Sequence, residues 1–245
     1  MKIVTYGNKE NEKILLLHPM FTSAMFFDFV IDKLIDTYYL IIPTYSGHYE
    51  NSTYLSMEDE EKTMDAFLKE NKIESLKAVI GFSLGGNIAF DYFCKNQDKI
   101  EQVIVDSAPI FLLPKMIKKH FYNKYKKCLH MIREHPENTV SELNKYFHGM
   151  GNSQQYVAKM VTDESLANLI ESCYHMKTPK LSIDSQKKIT FVYGKKDIAR
   201  LCLPRIRKYK NSKIIKVDGL NHCGYFMKKP DEYIKKFISN EKNYR

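Results

Sequence analysis

The chain has 245 residues, of which 44% are hydrophobic and 13% aromatic; this composition supports a sizeable buried core and argues against disorder. The formal charge of +9 comes from 33 lysines and only 5 arginines, and because phosphate and base recognition favours the arginine fork, we expect no nucleic-acid partner. No apolar run approaches the roughly 20 residues that cross a membrane, and residues 1–13 lack a signal-peptide core. We therefore expect a cytoplasmic protein without membrane contact.

The first 114 residues alternate short apolar runs with segments of helical periodicity. The apolar runs predict strands at Lys2–Tyr6, Lys13–His18, Tyr38–Ile42 (ended by Pro43), Leu76–Ile80 and Val103–Val105. The intervening segments predict helices at Phe21–Asp36, after an N-cap at Ser56, and at Leu84–Cys94. Strands that alternate with helices are typical of a parallel sheet covered on both faces.

The alternation stops after Pro114, and residues 115–176 read as helices only. One face of the first helix carries an apolar stripe, opposite a lysine-rich face that we interpret as solvated rather than as an anion site. The stripe consists of Ile117, Phe121, Tyr125, Leu129 and Ile132, and the opposite lysines are Lys118, Lys119, Lys126 and Lys127. Further helices are predicted at Val140–Phe147, Gln154–Val161 and Glu164–Tyr174.

Alternation resumes near residue 177 and continues almost to the end of the chain. The pattern predicts strands at Ile189–Tyr193 and Lys213–Val217 and helices at Leu203–Tyr209 and Asp231–Ser239. We therefore predict a doubly wound, mostly parallel α/β core formed by residues 1–114 and 177–245. Residues 115–176 would form an all-helical cap inserted into it.

The sequence Gly81-Phe82-Ser83-Leu84-Gly85 lies between a predicted strand and a predicted helix. A serine on such a tight turn projects its hydroxyl above the sheet, where it can act as a nucleophile. The turn demands small residues two positions before and after the serine, and Gly81 and Gly85 meet that demand. The alternative is a glycine-rich turn whose serine has no chemical role. The context favours Ser83 as the nucleophile.

A serine hydroxyl needs a general base, and eight histidines are available. His222 lies on the loop between the last predicted strand and the last predicted helix, where it can reach over the sheet edge toward Ser83. His18 and His48 follow strands and are expected to shape a pocket. The other five lie in the helical segment, where packing or exposure is the usual role: His120, His130, His135, His148 and His175.

The histidine needs a carboxylate to orient its ring and stabilise the imidazolium. Asp197 follows the strand Ile189–Tyr193 and gives the chain order Ser83, Asp197, His222, which is the order expected for this architecture. Asp106 remains the alternative acid, because it also follows a predicted strand. Five scattered cysteines form no Cys-x-x-Cys pair, and no histidine spacing suits a metal, so we expect reduced thiols and no metal site.

These motifs together resemble the α/β-hydrolase superfamily, and most closely its small bacterial serine hydrolases and esterases with a helical lid. The motifs span most of the chain: 16–20 (LLHPM), 46–48 (SGH), 81–85, 194–197 (GKKD) and 221–226. The resemblance implies an oxyanion hole formed by the backbone N–H groups of Met20 and Leu84. Two features depart from the family pattern. Pro19 replaces a usual glycine without removing the expected donor of Met20, and the loop 43–49 lacks the usual Asp-x-x-Gly-His-Gly pattern.

From the residues and the resemblance we expect a carboxylesterase that cleaves a small-molecule ester through an acyl-enzyme and uses no cofactor. Fold does not fix the substrate, so two alternatives stay open. One is a carbon–carbon bond hydrolase with the same residues. The other is a non-enzymatic sensor that binds a small ligand on the same scaffold. The sequence carries no signal for a particular oligomeric state.

Overall fold

The computed structural model describes residues 1–135 and 151–239. Seven strands form one sheet in the order β1-β3-β2-β4-β5-β6-β7, in which β1 pairs antiparallel with β3 and every other pair is parallel. The strands are β1 (Lys2–Tyr6), β2 (Glu12–Leu17), β3 (Tyr38–Thr44), β4 (Leu76–Phe82), β5 (Ile100–Asp106), β6 (Ile189–Gly194) and β7 (Lys213–Val217). This arrangement confirms the predicted mostly parallel sheet.

Helices connect the strands and cover both faces of the sheet. They are α1 (Asp28–Ile31), α2 (Met57–Glu70), α3 (Leu84–Lys95), α4 (Lys115–Glu134), α5 (Gly151–Met160), α6 (Asp163–Tyr174), α7 (Ile183–Lys187), α8 (Leu203–Ile206), α9 (Gly224–Lys228) and α10 (Pro230–Phe237). None of the helices in the described ranges is long and apolar enough to cross a membrane.

Alternate side chains of the central strands enter two separate apolar layers. Leu15 and Leu17 of β2 pack into one layer, while Ile14 and Leu16 pack into the other. A strand that is buried on both faces reads as a continuous apolar run, which is why residues 14–17 of β2 are all aliphatic. The sheet is therefore covered on both sides, as the alternation of elements predicts.

The segment Phe21–Asp36 differs most from expectation, because a single helix was predicted and two short turns are present. A 3₁₀ turn at Ala24–Phe27 leads into α1 at Asp28–Ile31. The Phe21 backbone has φ of 63°, which no right-handed helix contains, and its N–H bonds to the His48 ring. Because of this φ, Phe21 lies outside any right-handed helix, and the predicted helix does not begin there.

Strand β3 continues past the residue that was expected to end it. Pro43 pairs with Ile3 of β1, and the strand ends at Thr44. The pairing of β3 with β2 stops at Ile41, so Pro43 has a neighbouring strand on one side only. A proline is tolerated there because a ladder on one edge does not require its missing N–H.

The two ends of the helical segment lie against each other. Leu113 donates its backbone N–H to Tyr174, Met176 donates to Phe111, and Leu112 forms an isolated bridge with His175. Between these ends lie α4, α5 and α6. The predicted helix at Val140–Phe147 lies outside the described residues.

Helix α4 packs inward along the predicted apolar stripe, but unevenly. Leu129 and Ile132 are buried, whereas Ile117 at the start of the helix is 40% exposed. Two lysines of the helix form ion pairs with α6, Lys118 with Glu171 and Lys126 with Asp163. These lysines therefore bind acidic side chains of the chain itself.

The last third of the chain follows its predicted order with shorter and more numerous helices. The helix expected at Leu203–Tyr209 is confined to α8, which follows a 3₁₀ turn at Ile198–Cys202. Helices α7 and α9 were not predicted, because each has only five residues and shows no clear periodicity. The final helix, α10, covers most of the predicted range.

Candidate active site

Ser83 occupies the turn between β4 and α3, at the carboxyl edge of the sheet. Its backbone has φ of 54° and ψ of −114°, a strained conformation for a residue with a side chain. A Cβ atom on Gly81 would lie 2.0 Å from the Gly85 carbonyl oxygen, and one on Gly85 would lie 2.2 Å from that of Leu17. Only glycine fits these two positions, so the pair allows the turn to close.

His222 lies between Ser83 and Asp197. Its Nε2 is 2.9 Å from Ser83 Oγ, and its Nδ1 is 3.0 Å from Asp197 Oδ1. An ionised carboxylate only accepts hydrogen bonds, so Nδ1 carries the proton and donates a hydrogen bond to Asp197. Nε2 is then left to accept the hydrogen bond of the Ser83 hydroxyl. The three residues predicted from the sequence therefore form one continuous hydrogen-bonded row.

Asp197 is held in place by its own local structure. It caps the 3₁₀ turn after β6, and its Oδ1 accepts the N–H of Ala199 at 2.9 Å as well as the His222 ring. Its side chain is fully buried, whereas 38% of the His222 side chain is exposed. The alternative acid, Asp106, ends β5 and accepts the Ser107 hydroxyl at 2.8 Å instead.

The backbone N–H groups of Met20 and Leu84 make no hydrogen bond to any other residue in the described ranges. Leu84 is the first residue of α3, where amides point out of the helix and attract negative charge. The carbonyls of Leu17 and His18 approach Gly85 closely, which places the loop that carries Met20 beside the same helix start. The two expected donors are therefore free to bind an anion.

Two buried histidines join the Met20 loop to the loop after β3. His18 Nε2 accepts the N–H of Tyr45 at 3.3 Å, and His48 Nε2 accepts the N–H of Phe21 at 3.2 Å. Each ring thus accepts a hydrogen bond from a backbone N–H group of the opposite loop. The carbonyl of Pro19 accepts from His18 Nδ1 at 2.7 Å, which fixes the residue before Met20.

Both rings are neutral in this arrangement, because Nε2 must keep a lone pair. Burial lowers the pKa of His48 to about 4, and burial followed by the neighbouring His48 lowers the pKa of His18 well below its usual value. The sequence predicted that these two histidines shape the pocket, but it did not predict that their rings connect the two loops by hydrogen bonds. Their positions on loops after adjacent strands were the available signal.

Aromatic side chains of the helical segment reach the Met20 loop. The rings of Phe21 and Tyr125 lie 5.6 Å apart, and Phe121 stacks on Tyr174 at 4.5 Å. The hydroxyls of Tyr125 and Tyr174 lie 3.3 Å apart. Helices α4 and α6 therefore present a mostly apolar surface next to the candidate oxyanion donors.

Four of the other histidines lie on or directly after helices α4 and α6. His120 and His130 lie on α4, His135 and His175 follow α4 and α6, and His148 is outside the described residues. Within residues 1–135 and 151–239, no group of three or more His, Cys, Asp or Glu side chains could hold a metal ion. The five cysteines carry free thiols.

No family model matches the chain. The chain is similar to human serine hydrolase-like protein, with 26% identity over 116 residues, which is 44% of this chain and 55% of the human protein. The match to human serine hydrolase-like protein 2 covers 36% of that protein. The matched region thus spans about half, or less, of the length of these relatives.

Solved structures match over nearly the whole chain. A putative α/β hydrolase family protein from Desulfitobacterium hafniense has a TM-score of 0.73 at 16% identity, over 97% of this chain and 100% of that one. A carboxylesterase of Nitrososphaera gargenis has a TM-score of 0.71 at 17% identity, over 96% and 91%. At such low identities the similarity concerns the fold, and its seven-stranded sheet with flanking helices matches the one described above. The chain has the α/β-hydrolase fold.

Proposed function

We propose that this protein is a serine hydrolase that cleaves a small carboxylic ester, with Ser83 as nucleophile, His222 as base and Asp197 as the orienting acid. The observation that carries the proposal is the hydrogen-bonded row, with 2.9 Å from Ser83 to His222 and 3.0 Å from His222 to Asp197. Both distances are within hydrogen-bond reach without any rearrangement.

In the first half of the reaction, Ser83 Oγ attacks the ester carbonyl while His222 Nε2 takes its proton. The carbonyl oxygen becomes negative and is bound by the free N–H groups of Met20 and Leu84, a type of stabilisation worth about 3–4 kcal/mol per donor. His222 then gives its proton to the departing alkoxide, and an alcohol leaves. The product of this half is an acyl group on Ser83.

In the second half, water attacks the acyl-enzyme while His222 again takes a proton. His222 returns that proton to Ser83 Oγ, and the carboxylic acid leaves. Asp197 keeps the ring in the tautomer with Nδ1 protonated and balances the imidazolium charge in both halves. The chain's own residues supply every step, so the proposed reaction needs no cofactor.

The substrate class rests on the helical segment, which we propose to be a cap made of residues 115–176. Its aromatic side chains contact the Met20 loop through Phe21 and Tyr125. An apolar wall beside the donors favours an acyl chain, since each buried CH₂ contributes about 0.8 kcal/mol. Structural neighbours that are named esterases or carboxylesterases are consistent with this choice.

The test is labelling by a fluorophosphonate, which reacts with activated serines. The wild-type protein should be labelled, and peptide mapping should place the adduct on Ser83. Ser83→Ala should keep its fold by circular dichroism and lose on the order of 10³-fold or more in kcat on a reactive ester. Labelling at another residue, or full activity in the variant, would refute the assignment of Ser83.

One outcome would preserve the nucleophile and change the function. If Ser83 is labelled but no ester is turned over, the ester hydrolase proposal fails. The carbon–carbon bond hydrolase and the ligand sensor then become the candidates. Multiple turnover of a carbon–carbon substrate distinguishes the first, and a single slow turnover with a conformational response distinguishes the second.

A further inference from the structure

Three residues with side chains have positive backbone φ angles and lie next to one another in the site. Ser83, Ser107 and Cys223 have φ values of 54°, 55° and 53°. The first carries the proposed nucleophile, and the last directly follows the proposed base. Residues with such φ values cost about 1–3 kcal/mol each and persist only where surrounding contacts impose them. The contacts that hold these three together converge on residues 106 and 107.

Hydrogen bonds connect residues 106 and 107 to both halves of the site. The Ser107 hydroxyl donates to Asp106 Oδ1 at 2.8 Å and accepts the N–H of Cys223 at 2.8 Å. The Asp106 carbonyl accepts the N–H of Ser83, also at 2.8 Å. One dipeptide therefore binds the backbone of the nucleophile on one side and that of the histidine loop on the other.

The pair is sealed from water, which makes its bonds hard to replace. Asp106 is 1% exposed and Ser107 is fully buried. If the Ser107 hydroxyl is removed, the N–H of Cys223 loses its buried acceptor, a loss that costs about 1–3 kcal/mol unless the loop moves to find another partner. Movement of this loop moves His222, because the two residues are adjacent.

We propose that Asp106 and Ser107 are positioning residues, which hold the His222 loop so that the imidazole stays within hydrogen-bond reach of Ser83. This inference rests on the proposed function, because it assigns a role within the same site. Neither residue touches the reacting atoms. Asp106 orients the Ser107 hydroxyl, and Ser107 fixes the backbone of Cys223.

The charge of Asp106 adds a second effect on the same histidine. Burial, as the main cause, raises the pKa of Asp106 to about 7, so that its charge changes near neutral pH. The ionisable groups around it are Asp197, His222, Cys223, Tyr193, Tyr225 and Tyr233. The Tyr233 hydroxyl lies beside the carboxyl, although neither it nor Asp106 Oδ2 makes a hydrogen bond of normal geometry. When ionised, Asp106 favours the imidazolium form of His222.

The main experiment compares Ser107→Ala with Ser185→Ala. Ser185 is a matched control, because its buried hydroxyl also bonds another side chain, that of Gln97, but at the amino end of β6 and away from the site. Ser107→Ala should lower the fluorophosphonate inactivation rate and the kcat for a small ester about 10- to 100-fold, because a misplaced group costs rates of that order. KM should stay within about twofold. Ser185→Ala should match the wild type in all three quantities.

A second comparison tests Asp106 by the pH dependence of kcat/KM, which a loss of stability alone would not change. Asp106→Asn retains an oxygen that can accept from Ser107, so its kcat should lie well above that of Asp106→Ala. The wild-type kcat/KM profile should change between about pH 6 and 8 as the Asp106 carboxyl near His222 ionises, and Asp106→Asn should lack that change.

The possible results separate the inference from the function on which it rests. If the wild-type protein does not react with the fluorophosphonate, the proposed function is wrong. If it reacts and Ser107→Ala reacts at the same rate, the function stands and the positioning role is overturned. Equal losses of rate in Ser107→Ala and Ser185→Ala would also overturn it, because they would report a general loss of stability.

Discussion

At the scale of single residues, each histidine ring in the site is matched to particular hydrogen-bond donors and acceptors. Burial makes this matching necessary, because a buried polar group has no water to bond instead. Neutral His222 can donate from one nitrogen only, and the fully buried Asp197 accepts that hydrogen bond. His48 and His18 accept hydrogen bonds from backbone N–H groups of opposite loops and are neutral for that reason. Each ring therefore has one tautomer, set by its partner rather than by its own chemistry.

The two candidate acids should respond very differently to the same substitution. Asp197→Asn should reduce kcat on the order of 10³- to 10⁴-fold, because the amide can stabilise the wrong His222 tautomer and cannot balance the imidazolium. Asp106→Asn should cost less than about tenfold. Steady-state kinetics on a p-nitrophenyl ester measures both variants. The opposite ranking would make Asp106 the triad acid.

A second prediction at this scale concerns His48 and pH. A His whose pKa falls from 6.5 to about 4 on folding contributes stability that is complete above pH 6.5 and is lost as the pH falls toward 4. His48→Gln has no such proton to gain, and its amide oxygen can still accept from Phe21. Between pH 7.5 and 4.5, its free energy of unfolding should therefore rise by roughly 2–3 kcal/mol relative to the wild type.

Urea unfolding at several pH values measures that difference directly. Taking the difference between the two proteins cancels the buried carboxyls, whose effect has the opposite sign. Burial raises the pKa of Glu61, like that of Asp106, to about 7. Ionisation of these groups therefore lowers the stability of the protein as the pH rises. A difference between variant and wild type that stays constant with pH would contradict the role of His48.

At the scale of elements, the strand–turn–helix unit from β4 to α3 explains why the nucleophile is where it is. The strand ends at Phe82, the helix begins at Leu84, and Ser83 alone makes the turn. Because the turn is so tight, the backbone of residue 81 lies against that of residue 85, which leaves no room for side chains. The strain at Ser83 is thus a consequence of how closely the two elements meet.

Matched glycine substitutions test the closeness of that turn. Gly81→Ala should destabilise the fold by more than about 3 kcal/mol, because its Cβ would overlap a backbone oxygen that cannot move without opening the turn. Gly219→Ala is the control, since Gly219 has φ of 73° but nothing within 4 Å. That variant should cost only about 1–2 kcal/mol, the cost of the left-handed conformation. Equal thermal or urea midpoints for the two would disprove the steric argument.

At the scale of the whole molecule, α6 of the helical segment is attached to the sheet domain by polar as well as apolar contacts. Tyr54 donates its hydroxyl to Ser172 at 2.9 Å, and Asn87 of α3 donates to the Cys173 carbonyl at 2.8 Å. Leu166 and Leu169 are fully buried in the same apolar layer as the central strands. Part of the apolar surface of this segment is therefore used in packing, which leaves less of it for a substrate.

That limit predicts a preference among esters. The kcat/KM for p-nitrophenyl esters from two to sixteen carbons should peak at short or medium length, because the remaining apolar surface can bury only part of a long chain. Emulsified triglyceride should be hydrolysed poorly. A maximum at the longest chains would identify a lipase and would contradict the proposed substrate class.

The sequence by itself determined the elements that depend on local pattern. Apolar runs and helical periodicity predicted the seven strands, the order of the elements and the position of Ser83, because strand, turn and helix signals lie within a few residues of each other. The loop positions of Asp197 and His222 were predicted for the same reason, since both follow strands that end at one edge of the sheet.

Only the tertiary structure decided matters that depend on partners distant in the chain. It showed that His222 bonds Asp197 and not Asp106, since both carboxyls lie at or just after a strand end and only packing orients them. It replaced the helix predicted at Phe21–Asp36 with two short turns, and it placed the Phe21 amide on the His48 ring, 27 residues away in the chain. Hydrogen bonds and steric fit between distant segments leave no periodic pattern in the sequence. The hydrogen bonds of His18 and His48 to opposite loops, and those of Ser107 to Asp106 and Cys223, were therefore visible only in the tertiary structure.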